Sequence, residues 1–97
     1  MVVFMEPAEG TEHEFNDWYN QNHVPERVSV PGILSARRYE LCDGDGALRY
    51  LAVYELENEA VLQGEAYLKN VAESTPMNFT RPKVQRLVYR QVFPETG

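Results

Sequence analysis

Apolar and polar positions along the 97-residue chain change period several times, and each change marks the start or end of an element. "VVFM" (2–5) is short, apolar and β-rich and stops before Pro7 and Gly10, which predicts a first strand. "TEHE" (11–14) has the form of a capping box, with Thr11 as N-cap and Glu14 three residues later. Glu12 and Glu14 also lie where a helix dipole favours negative charge. Phe15, Trp18, Tyr19 and Asn22 then recur at helical spacing and predict a helix over 12–23. Pro25 disfavours helical geometry at Val24, so the helix is expected to end or kink there, and "PERVSV" can begin another turn with Pro25 in first position.

"PG" (31–32) is a turn signal before a strand over 33–42; "DGDG" (43–46) reads as a hairpin turn, and "LRYLAVYEL" (48–56) returns. Asn58 can cap a second helix over 59–74, with Val61, Gly64, Leu68, Val71 and Ala72 as its stripe. "STPMNFTRP" (74–82) is a loop, and "KVQRLVYRQVF" (83–93) alternates as a final strand. The order is βαββαβ, an α+β, ferredoxin-like plan with a four-stranded antiparallel sheet and both helices on one face.

That plan leaves one sheet face uncovered, yet the strands carry apolar residues on both faces. Leu51 and Val53 alternate with Tyr50, Ala52 and Tyr54; Val84, Val88 and Val92 alternate with Leu87, Tyr89 and Phe93. A sheet wet on one side alternates apolar with polar. The expected cover is a second copy of the chain, two sheets facing each other across a twofold axis to make a dimeric α/β barrel.

Composition narrows the rest. The length suits one domain, 1–97, with no linker, repeat or low-complexity tract. A net charge of −6 argues against nucleic acid and anionic membranes as partners, since both call for surplus Lys and Arg. No apolar run is long enough to span a membrane, and "MVVFMEPAEG" lacks the basic start and apolar stretch of a secretory signal, so the cytoplasm is the expected compartment. One cysteine, Cys42, excludes an internal disulfide and a Cys-pair zinc site. Its neighbours in sequence include no group that would activate a thiol. His13 and His23 stand at opposite ends of the first helix, too far apart to converge on one metal ion. No phosphate-loop or dinucleotide glycine pattern occurs, so no cofactor is expected.

"EFNDWYNQNHVPERVSVPGILSARRYEL" followed by "RYLAVYELENEAVLQGEAYLKN" resembles the EthD-like members of the dimeric α+β barrel superfamily. The shared features are a Trp-Tyr-x-x-x-His-x-Pro helix end, a Pro-Gly entering an Arg-rich strand, and a "YLAVYEL" strand leading to "EAYLKN", over residues 2–93. The resemblance implies a ligand cavity between the sheet and its helices or loops. It also implies proton transfer by a histidine near the end of the first helix, the position His23 matches.

An imidazole titrates near neutrality and suits acid–base work, and a helix C-terminus favours its charged form. The alternative is that His23 caps carbonyls or fills the kink before Pro25. Tyr19, four residues earlier on the same helical face, can orient it or donate to a substrate oxygen; it can equally be a core aromatic, as Trp18 is expected to be. Tyr50 and Tyr54 flank the small Ala52 and are candidate ligand contacts or dimer-interface packing. Arg37 and Tyr39 share one face of the second strand and Arg38 and Glu40 the other. One arginine faces the barrel, and the strand's phase decides which. Arg37, Tyr39 and, from the loop, Phe79 complete the candidate ligand-binding set; Met77 and Phe79 also fit ordinary loop anchoring.

The expected function is cofactor-free proton transfer, isomerisation or cyclisation of a small cyclic or aromatic metabolite, with His23 as acid/base. The alternatives are a non-catalytic small-ligand-binding or auxiliary protein and, as the superfamily also admits, an oxygen- or haem-dependent oxidoreductase.

Overall fold

A computed structural model describes residues 1–95. Strand β1 (Val2–Glu6) leads into helix α1 (Glu12–Trp18), a π-helical turn (Tyr19–His23) and α2 (Val24–Val28). Strands β2 (Ile33–Glu40) and β3 (Tyr50–Leu56) follow, then a 3₁₀ turn (Glu59–Gln63), α3 (Glu65–Ala72) and β4 (Lys83–Leu87). The sheet is antiparallel in the order β2-β3-β1-β4, which is the ferredoxin-like arrangement.

Pairing fixes the faces. Val3 lies opposite Ala52, and Ala52 opposite Arg38, so Met1, Val3, Met5, Tyr50, Ala52, Tyr54, Ala36 and Arg38 share one side. Phe15, Trp18 and Tyr19 pack on that side, and Phe15 and Met5 are fully buried. The other side carries Val2, Phe4, Leu51, Val53 and Leu87, half-buried in the single chain, with Arg37 and Tyr39 exposed.

Several predicted boundaries move, each for a local reason. Thr11 forms no capping box: its hydroxyl donates to the Ala8 carbonyl at 2.7 Å, and no side-chain cap is made. The first helix does not end at Pro25. Val24 is helical (φ −64°, ψ −50°), and its N–H reaches back five residues to Tyr19 O. Proline removes a donor and crowds the preceding turn; one wider turn placed just before it lets the helix continue to Val28.

The 43–46 turn belongs to a longer loop, 41–49, closed by Leu41 N–H donating to Arg49 O at 2.7 Å. Arg49 is clamped by Glu6 and Glu12, both at 2.8 Å. Asn58 does cap, its Oδ1 accepting from Ala60 N–H at 3.0 Å, but the helix over 59–74 is broken at Gly64 into a 3₁₀ turn and α3. A 3₁₀ turn advances faster per residue than an α-turn and throws the expected stripe out of phase. Leu68 and Val71 are consequently 56% and 41% exposed. The final strand stops at Leu87, opposite Val2, beyond which β1 supplies no partner; Tyr89, Val92 and Phe93 lie exposed past it.

Among the described residues no helix is long and apolar enough to cross a membrane, and no three His, Cys, Asp or Glu side chains are grouped to hold a metal ion.

Candidate functional site

The π turn sets the site. By widening the helix it presents Trp18, Tyr19 and His23 together, the imidazole lying against both larger rings at centroid distances of 4.7 Å (Trp18) and 4.6 Å (Tyr19). Arg27, four residues beyond His23, follows on the same side of α2. Arg27 is 7% exposed, yet its Nη1 donates only to neutral groups, Asn70 Oδ1 at 2.8 Å and Ser74 Oγ at 2.9 Å. The Asn70 amide is fixed from its other end, where Nδ2 donates to Glu26 O at 2.9 Å.

The loop after α3 closes over these groups. Trp18 Nε1 donates to Thr75 O at 3.2 Å, and the Thr75 hydroxyl and N–H both donate to the Glu26 carboxylate. A cleft of about 360 Å³ is left between helix and loop, with Trp18, His23, Arg27, Met77 and Arg81 in its wall. The volume is at the lower end for small-molecule sites.

Burial lowers the His23 pKa to about 4, with the charges of Arg27 and Arg38 acting in the same direction and Glu26 opposing them. This reverses the expectation drawn from a helix end: His23 sits inside a continuing helix, so no terminal carbonyls stabilise a charged ring. Its Nδ1 is buried without a hydrogen-bond partner among the described residues. Burial also pushes the Tyr19 phenol up to about 12, and it raises Tyr54, whose buried hydroxyl likewise has no partner among the described residues. At neutral pH both phenols are therefore intact and the imidazole is neutral.

A second cleft, about 300 Å³ and more open, lies on the other side of Tyr19 and includes Asn16, Asn20, Arg38, Tyr39, Glu40 and Tyr50. Arg38 crosses its floor, stacked over Tyr19 at 4.8 Å and over Phe15 and Tyr50 at 5.4 and 5.5 Å. Its Nη1 and Nη2 donate to Asn20 Oδ1 (2.8 Å) and Asn16 Oδ1 (2.9 Å). Tyr50 donates its hydroxyl to Glu12, whose carboxyl that bond holds below the usual range.

The candidate residues thus fall into separate places. His23 is in the wall of the first cleft with Tyr19 behind it, and Phe79 reaches the edge of Trp18 at 6.1 Å. Tyr50 lies in the second cleft, at whose rim the lining also includes Tyr39 from the uncovered face, while Tyr54 is buried beneath the helix layer. Arg37 lies on the uncovered sheet face, and it is Arg38 that faces the helices. Arg38 was weighed in the sequence only as the alternative to Arg37 on the second strand, and Arg27 and Arg81 were not singled out as belonging to either cleft. Arg27 alone carried a usable signal, its four-residue spacing from His23, legible only once the helix is known to pass Pro25.

No family model matches the chain, and no curated protein matches it significantly. Among solved structures, the chain is similar to an ethyl tert-butyl ether D (EthD) family protein from Bacillus halodurans, with a TM-score of 0.59 and 12% identity over 90% of this chain and 95% of that one. At that identity the likeness is one of fold: the chain has a distantly EthD-like, ferredoxin-like α+β architecture.

Proposed function

We propose that this protein binds a small cyclic or aromatic molecule in the Trp18–His23–Arg27 cleft and exchanges a proton with it through His23, without a cofactor. The observation that carries the reading is a neutral imidazole, free of hydrogen bonds to the described residues through its buried nitrogen, in the wall of a cleft beside cationic groups. With the proton on Nδ1, the second ring nitrogen is an acceptor. A base held near pKa 4 is weak in the empty site, but negative charge developing on the substrate offsets the arginine charges and strengthens it as the proton moves. Tyr19, un-ionised and packed on the ring, holds its plane.

Replacing His23 by Gln tests this on any cyclic or aromatic carbonyl compound found by screening to be turned over. Positioned acid–base groups contribute about 10²–10⁴-fold, so H23Q should lose at least about a hundredfold in kcat. Unchanged turnover removes His23 from the chemistry. A binding role without conversion is the second reading, favoured by the absence, among the described residues, of any hydrogen-bond partner that orients Nδ1; it predicts retained ligand affinity in H23Q and no turnover in either form.

The uncovered sheet face and the exposed Tyr89, Val92 and Phe93 support a homodimer in which two sheets face each other as a barrel.

A further inference from the structure

Across the whole chain acidic residues outnumber basic ones, 15 Asp and Glu against 9 Lys and Arg. The His23 cleft inverts that balance. Its wall contains Arg27 and Arg81 and, among the described residues, no carboxylate. The nearest acid bonded to the same loop, Glu26, is committed to Thr75, accepting from both its N–H and its hydroxyl.

Arg27 is the more telling of the two. A guanidinium withdrawn from water is normally matched by an acid, because neutral acceptors recover only part of the lost hydration. Here a 7% exposed Arg27 has a side-chain amide and a hydroxyl as partners, both on Nη1, and no ion pair among the described residues. The remaining donors of the fork are left for something else. Arg81, an exposed residue of the loop, contributes a second charge to the same wall. Trp18, Met77 and Val71 supply the apolar part of the wall.

We propose that the ligand of this cleft is a small aromatic or alicyclic carboxylate, its ring against Trp18 and its carboxylate received by Arg27 with Arg81 as a second positive group. The inference rests on the reading of this cleft as the ligand site, and it adds the charge class. A planar carboxylate matches the fork geometry of one guanidinium, and a cleft of about 360 Å³ holds one ring with such a group. The carboxylate supplies the counter-charge that Arg27 lacks among the described residues.

Trp18 is the only tryptophan, so its fluorescence reports the cleft without a label. Benzoate and benzamide, of the same shape and differing in charge, are the probes. Benzoate should quench or shift Trp18 emission and bind about tenfold or more tighter than benzamide, and added salt should reduce that difference. R81Q should weaken benzoate by roughly two- to fivefold and leave benzamide unchanged; R81E should weaken it further. R27Q should abolish the preference, and because Arg27 is buried its circular dichroism and unfolding midpoint are measured alongside. Arg81 is exposed, so its variants keep the test open if R27Q fails to fold. Equal affinity for the two probes, or an R81E protein that still prefers benzoate to the full extent, overturns the charge class while leaving the cleft as a ligand site. Binding of neither probe overturns both. H23Q separates the readings from the other side: benzoate preference kept with turnover unchanged sinks the proton-transfer role and sustains the anion site.

Discussion

At His23, burial and neighbouring charge push in one direction. A ring packed between indole and phenol, with Arg27 and Arg38 nearby, keeps its proton off until about pH 4, whereas an unfolded imidazole binds one near 6.5. Above 6.5 neither state is charged at this position and His23 has no pH effect on stability. As pH falls from 6.5 towards 4, the unfolded chain takes up a proton that the native chain refuses, so stability declines and levels off below 4. The full effect is up to roughly 3 kcal/mol at 1.36 kcal/mol per pKa unit, less for the ring's residual exposure. H23Q should remove this slope; denaturant unfolding at several pH values between about 4.5 and 7 measures it. Parallel profiles for the two proteins would show that the ring is not held neutral. The carboxylates of Glu6, Glu12 and Glu26, lowered chiefly by hydrogen bonds from Arg49, Tyr50 and Thr75, add their own loss at still lower pH and are common to both proteins.

Among the elements, what periodicity could see depended on whether the backbone hydrogen-bond pattern stayed constant. The β2–β3 pair was legible because alternation holds on either side of the bulge between Ile33 and Ser35; the bulge itself shifts the phase, so that Ile33 and Ala36 share the helix-facing side and Leu34 is left outside. The helices were legible as helices but not in phase. A π turn in one and a 3₁₀ turn in the other each break a 3.6-residue count, so Arg27 was missed and Leu68 and Val71 were assigned to a buried stripe that they do not occupy. Trp18, Tyr19, His23 and Met77 stood out in the sequence; Arg27, Asn70 and Arg81 did not, because they come from α2, α3 and the following loop and meet only in the fold.

One element junction is tightly specified. Gly32 has φ +95°, and a Cβ there would lie 2.5 Å from Val61 Cγ2, where the 3₁₀ turn meets the start of β2. G32A should cost about 2–4 kcal/mol, combining left-handed strain of about 1–2 kcal/mol with the overlap. V61A placed in G32A should recover the overlap part only. Gly46 (φ +79°) has open space around it, so G46A should show the strain alone. Equal losses in G32A and G46A would mean that Val61 moves aside freely.

For the whole molecule, the decisive surface is the sheet face opposite the helices. Val2, Phe4, Leu51 and Val53 form a continuous apolar patch there, flanked by the exposed Tyr39. Sedimentation or light scattering at micromolar concentration should give twice the 11.2 kDa chain mass. Val53→Lys with Leu51→Lys, both away from the helix layer, should return the monomer mass with the far-ultraviolet circular dichroism retained. A wild-type mass equal to one chain would refute the barrel. The fold class was legible because element order and the sheet's two apolar faces are whole-chain properties. A second copy as the cover of that face was an expectation drawn from the fold plan and the resemblance, since a surface specifies its complement and not its source.

The π turn has a consequence for descent with modification. It amounts to one extra residue in a helix, and an α-helix advances about 100° per residue. The wider turn absorbs that residue, so the helix beyond it runs as if the residue were absent. A relative lacking one residue between Tyr19 and Val24 could therefore run through as a plain α-helix and still present Arg27 to the cleft. A relative of unchanged length whose substitutions close the π turn would instead rotate Arg27 away by about 100°. In this lineage a gap of length one in these five residues is compatible with an unchanged specificity, and an ungapped alignment there is not proof of one.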